Sequence, residues 1–173
     1  MSLSALDRAE LATAIPRWLR MLLIISAIIE LASGLRDLPI LLGDTSQIPG
    51  PGLGGTIIKT KIALHPLVAA VALFCAVTGR LGGAVIAMAV LALLTWANYL
   101  PSIALHGMDA GDGTSGILTA FQIILVPLFA ATAIALAVQR KHLTLATCLA
   151  ILPTWVGVLG VLAFAIGVSI WGF

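Results

Sequence analysis

The chain has 173 residues, of which 61% are hydrophobic, 9% are charged and 17 are glycine, with a formal net charge of +2. Its mean hydropathy of +1.16 and its small charged share stand far from those of soluble domains, where about 25% of residues are charged. These figures exclude a water-soluble domain, a disordered tail and a coiled coil, and two cysteines are too few for a disulfide-stapled module. At about 20 apolar residues per membrane-spanning helix, the length accommodates at most about six spans and leaves no room for a second, soluble domain.

The pattern predicts an all-α integral membrane protein, one domain over residues 1–173, with about five transmembrane helices. The alternating ten-residue segments of a β-barrel are absent, and unpaired backbone groups are costly in lipid, so helices are the expected spanning element. In chain order, residues 1–16 read as a short interfacial segment, with Ser4 and Asp7 as candidate caps. Arg17, Arg20 and Ala32-Ser33-Gly34 imitate a secretory signal, but Asp7, Glu10 and Glu30 interrupt that pattern, and the segment is expected to be retained. The first span covers 18–42 and contains Glu30, Arg36 and Asp37; the second covers 57–77 and is entered through Lys59, Lys61 and His65. The third covers 81–105, the fourth 117–138 and the fifth 143–173. Pro127 and Pro153 predict kinks in the last two. Gly83 with Ala87, and Ala163 with Gly167, predict close helix approaches.

Connections are of two kinds. Thr78-Gly79-Arg80 and Gln139-Arg140-Lys141-His142 are tight and basic, whereas residues 43–55 and 106–116 are long and rich in Gly, Pro and Asp. Five spans put both tight turns on the side of the amino terminus. That side carries Arg8, Arg17, Arg20, Arg80, Arg140 and Lys141, against Arg36, Lys59 and Lys61 on the other. The excess of basic residues predicts a cytoplasmic amino terminus and an external carboxyl terminus.

The polar residues inside the spans are unevenly distributed in depth. At 1.5 Å per residue, Glu30 lies about 20 Å above Arg17 and Asn98 about 27 Å above Arg80, while His65 and Gln122 lie about 6 and 9 Å below the opposite edge. All four fall in the outer half. Ser26, Glu30, Ser33 and Asp37 form one stripe at helical spacing, and Lys61 with His65, and Thr95 with Asn98, form others. Charged stripes turn inward, away from lipid. The expected object is an outward-facing polar pocket among the first four helices, with Glu30, Lys61, His65, Asn98, Tyr99 and Gln122 as its candidate residues. The plainer reading makes Glu30 one member of a structural ion pair with Lys61 or His65, and Asn98 and Gln122 interhelical hydrogen-bonding groups.

Other chemistries fit less well. Haem is disfavoured because His65 lies inside the membrane while His106 follows the helix-breaking Pro101. No metal site is expected, since His106, Asp109 and Asp112 lack an EF-hand spacing. Cys75 and Cys148 are far apart in sequence and read as buried thiols. No nucleophile elbow, phosphate loop or zinc-protease motif is present, nothing is basic enough for nucleic acid, and the chain does not read as an enzyme on its own.

Two segments carry a family resemblance. Arg20-Met21-Leu22-Leu23 running to Ser33-Gly34-Leu35-Arg36-Asp37-Leu38, and the junction Val77-Thr78-Gly79-Arg80-Leu81-Gly82-Gly83-Ala84, resemble the first helix and the second-to-third turn of DoxX-like proteins. The resemblance covers the first half of the chain. It implies a bacterial plasma-membrane protein with a four-helix-type bundle, here with one extra helix, some members being subunits of quinone-linked sulfur oxidation or partners of redox enzymes. Arg36 and Arg80 match motif positions, and neither receives a catalytic role from it.

Three functional expectations remain open. In one, the protein is an accessory or quinone-interacting subunit of a membrane redox system: Glu30 and His65 exchange protons with a quinone headgroup, while Asn98, Tyr99 or Gln122 hold its oxygens. In another, Glu30 and His65 serve a proton-coupled transporter or channel for a small solute, although the inner half offers few polar groups for a path. In the third, the protein is a purely structural membrane subunit. The expected partners are the lipid bilayer and other membrane subunits or a second copy of the chain.

Overall fold

The computed structural model describes residues 16–43, 52–101, 103 and 119–172. The expected interfacial segment, apart from Pro16, and most of the two long loops, with His106, Asp109 and Asp112, lie outside the described residues. Among those described, every regular element is helical: α1 (Arg17–Asp37), the single turn α2 (Pro39–Leu42), α3 (Leu53–Val77), α4 (Leu81–Ala97), a π-helical turn (Phe121–Leu125) running into α5 (Val126–Val138), and α6 (Leu143–Trp171). Three stretches, Arg17–Leu41, Leu53–Val77 and Leu143–Ile170, are long and apolar enough to cross a membrane, while Leu81–Ala97 and Gln122–Val138 are apolar but shorter.

Local chemistry explains the boundaries. Pro16 precedes α1 in an extended conformation, and its carbonyl accepts from the amides of Leu19 and Arg20. Pro39, which has no amide hydrogen to continue the ladder, divides α1 from α2. α3 begins at Leu53, four residues before the expected position 57, because the chain breaks at Gly52, whose φ of +104° suits glycine, and not at Gly54 or Gly55. α4 ends at Ala97, and after a turn at Asn98 and Tyr99 the chain is helical again at Leu100, Pro101 and Ile103, within the expected span to 105.

The two tight turns share one capping geometry. After α3, Arg80 N–H donates to Cys75 O at 2.8 Å and Gly79 N–H to Ala76 O at 3.4 Å; after α5, Lys141 N–H donates to Leu136 O at 3.0 Å and Arg140 N–H to Ala137 O at 3.2 Å. Both are Schellman caps, which need a left-handed residue at the turn. Gly79 fills that position in the first with φ +80°, whereas Arg140 fills it in the second with φ +53°. Arg20 reinforces the first turn by donating to Ala76 O and Val77 O. A cation is thereby set against the carbonyl end of α3, where the helix dipole favours it.

Packing follows the sequence order and then closes on itself. α1 lies on α3, α3 on α4, α4 on α5 and α5 on α6, and α6 returns to α4 and α1. The last helix is therefore not an addition to a four-helix core: its first half completes the bundle. α4 is the central element, burying Ala84, Val85, Ala87, Met88, Ala89, Leu91 and Ala92. Its neighbours present alanine at helical intervals, namely Ala69, Ala72 and Ala76 on α3, Ala130, Ala133 and Ala137 on α5, and Ala146 and Ala150 on α6. Small side chains let helix backbones approach closely, which is how apolar helices associate without water to drive them together. Of the anticipated close pairs, Ala87 is buried, but Ala163 is exposed and α6 beyond Trp155 is mostly uncovered. The tightest approach is at Gly34, where an added Cβ would stand 2.9 Å from both His65 Cδ2 and the Pro66 nitrogen.

Candidate functional site

A cavity of about 520 Å³ lies at the end of the bundle remote from the two tight turns. Volumes of this size are typical of small-molecule sites. The carboxyl half of α1 contributes Glu30, Ser33 and Arg36; α3 contributes Lys61 and His65; the end of α4 contributes Thr95, Trp96 and Tyr99; the π turn contributes Gln122; and α6 contributes Pro153, Thr154 and Gly157 with Val161 and Leu162.

Glu30 is the centre of its polar wall. His65 Nε2 lies 2.9 Å from Glu30 Oε2, and Thr154 Oγ1 donates to Glu30 Oε1 at 2.6 Å. The carboxylate thus joins α1, α3 and α6. Gly34, one turn beyond Glu30, makes the first of these contacts possible, because any side chain there would drive α1 away from His65 and Pro66. His65 is only 3% exposed, and its Nδ1 has no hydrogen-bonding partner among the described residues. One helical turn below, Trp155 Nε1 donates to Ser26 Oγ at 3.0 Å, and Ser26 Oγ donates to Leu22 O at 2.7 Å.

A second pair lies nearer the mouth. Lys61 Nζ donates to Asp37 Oδ2 at 3.1 Å. Glu30 and Asp37 are two turns apart on α1, and His65 and Lys61 one turn apart on the antiparallel α3, so the pairs stack like two rungs. Lys61 therefore serves Asp37 and leaves Glu30 to His65, which separates the two partners that the sequence left as alternatives. Arg36 makes a looser, exposed pair with Asp37 at 3.8 Å, its side chain 86% exposed on the cavity rim.

The remaining wall is built by an irregular backbone. Pro127 has no amide hydrogen for the carbonyl of Ile123, four residues earlier, and Trp96 Nε1 donates to that carbonyl at 2.9 Å instead. The π turn just before Pro127 brings Gln122 to the cavity, where its Oε1 accepts from the hydroxyl of Tyr99. The kink expected at Pro127 is thus taken up as a π turn followed by a fresh helix start.

The structure brings together Glu30, Lys61, His65, Tyr99 and Gln122. Asn98 is not on the cavity wall; its Oδ1 is buried without a partner among the described residues, in the turn that ends α4. The fifth span, which the sequence left outside the pocket, supplies Thr154 and the apolar wall. Thr154 had one legible signal, a hydroxyl next to Pro153 within an apolar run, but such residues are common in apolar helices. Among the described residues no three His, Cys, Asp or Glu side chains gather at metal-binding distance. No family model matches this chain, nor does any curated protein or solved structure.

Proposed function

We propose that this is a polytopic membrane protein whose cavity binds a neutral, hydrogen-bonding headgroup of the quinone class, as an accessory subunit of a membrane redox system. In that setting the apolar exterior faces lipid, α1, α3 and α6 cross the bilayer, and the shorter α4 and α5 accompany them. The basic amino-terminal end, with Arg17, Arg80, Arg140 and Lys141, faces the cytoplasm, and the cavity belongs to the outer half of a bacterial plasma membrane. The resemblance to DoxX-like proteins agrees with this placement.

The observation that carries the reading is the Glu30 carboxylate, held by His65 and Thr154 on the wall of a cavity that is otherwise largely apolar. Glu30 and His65 can exchange a proton across their shared hydrogen bond, which is what a headgroup cycling between carbonyl and hydroxyl forms requires. Tyr99, Gln122 and Thr95 offer hydroxyl and amide groups to its oxygens. The cavity carboxylate Glu30 and the nearby Asp37 each have partners of their own, so a neutral ligand suits the site better than an ion. Transport through the bundle is less well supported: below Ser26 and Trp155 the space between the helices is filled by Leu19, Leu23, Ala72, Ala76 and Ala133, all buried.

The test is quinone content and binding in the purified protein. Glu30→Gln and Thr154→Val keep side-chain volume and should each reduce binding while helical content stays that of the wild type. Undiminished binding in both variants rejects the site.

A further inference from the structure

The cavity has two unlike edges. On the α1 side its rim is Arg36, charged and open to solvent. On the α6 side its rim is Val161 and Leu162, which line the cavity and are nevertheless 70% and 52% exposed. Between that lip and the polar floor at Thr154 stands Gly157. It belongs to the cavity wall and is itself exposed, and a Cβ built on it would meet no heavy atom within 4 Å. At this point the wall is bare helix backbone, a notch joining the cavity to the outside. Thr154, Gly157 and Val161 lie three and four residues apart, so they share one face of α6 and form a line from floor to lip.

No packing need explains the glycine. At Gly34 a side chain would collide with α3, whereas at Gly157 it would enter empty space, and glycine in a helix interior is otherwise unfavourable relative to alanine. What the missing side chain provides is an opening. The opening is flanked by hydrocarbon, and the same face of α6 continues to Phe164, seven residues beyond Gly157 and exposed.

We infer that the ligand is an amphiphile with a neutral head and an unbranched or isoprenoid chain, that its chain leaves the cavity through the notch at Gly157 and over the Val161–Leu162 lip, and that Gly157 selects for chain-bearing ligands. This rests on the ligand reading of the cavity and adds to it the chain, its route and the residue that admits it. The head engages Glu30 and Thr154; the chain passes outward across α6 into the surrounding hydrocarbon. A headgroup without a chain gains nothing from the notch.

Native mass spectrometry of the full chain, released from detergent after loading with decylubiquinone, duroquinone or decanol, tests the route. The wild type should retain decylubiquinone well above duroquinone, which has a quinone ring and no chain. Gly157→Leu should remove that advantage, lowering decylubiquinone retention by about tenfold, which corresponds to ~1.4 kcal/mol, with duroquinone unchanged. Val161→Trp, at an exposed lip position, should act in the same direction, so the test survives if the Gly157 variant does not fold. If the wild type retains decanol but neither quinone, and Gly157→Leu abolishes that retention, the quinone reading fails while the chain route stands. If the wild type shows no preference for chain-bearing probes, or if folded Gly157→Leu and Val161→Trp retain them as the wild type does, the route is wrong.

Discussion

The two ends of the bundle are built on opposite principles. At the end with the tight turns, Ala72, Ala76, Ala84, Ala133, Ala137 and Ala146 meet around Leu19 and Leu23, and each helix touches its neighbours through small side chains. At the other end α4 stops, the π turn interrupts the fourth segment, and a cavity with Glu30 on its wall lies between the helices. Close packing makes a rigid end that can hold nothing, while incomplete packing, stitched by Glu30, makes an end that can. Binding should depend on the second region, and stability on the packing of the first together with the Glu30 tie in the second.

The largest effect expected from breaking this division is at Glu30. Replacing it with alanine leaves His65 buried beside an empty space and unties α1 from α6. The buried His65 and Thr154 both lose their hydrogen-bonding partner, at about 1–3 kcal/mol for each group left unsatisfied, so the melting temperature of Glu30→Ala should fall sharply and binding should vanish. A Glu30→Leu, His65→Leu double variant should recover much of the stability and none of the binding. Leu23→Ala sharpens the contrast: Leu23 is fully buried at the packed end, and its truncation should cost about 2–5 kcal/mol while ligand affinity, measured well below the new melting temperature, stays unchanged. Gly34→Ala sits at the border between the regions. It should cost about 1–3 kcal/mol through overpacking, and it should also weaken binding, because the displaced helix carries Glu30 away from His65. The smallest expected effect is a gain: Arg140→Gly relieves a left-handed non-glycine residue and should add about 1 kcal/mol, visible as a higher melting temperature with the cavity untouched.

Much of the candidate site was legible because polarity is rare in this chain. Glu30 and His65 stand out on apolar helices, and counting residues from Arg17 and from the opposite edge at Lys61 puts both in the outer half, so their meeting was one of the two pairings the sequence allowed. The allocation of partners was less legible, since Lys61 lies one turn from His65 and either could face Glu30. Contact with Asp37 decides it, through the register of α1 on α3, and that register depends on Gly34. Thr154 was out of reach for another reason. It is 124 residues from Glu30, and no local pattern reports which face of the last helix turns toward the first.

The sequence by itself determined the helical class, the approximate limits of the elements and the end of the bundle at which polar groups collect, because proline, glycine and hydrophobic periodicity act over a few residues. The tertiary structure decided that the fifth helix closes the bundle, that Glu30 is shared between His65 and Thr154, that Asn98 stays off the wall, and that Gly157 opens it. Those outcomes, of which the structure shows for Gly157 only its exposed place on the cavity wall, depend on helix rotation and crossing, which are set by the summed fit of many small side chains from distant segments.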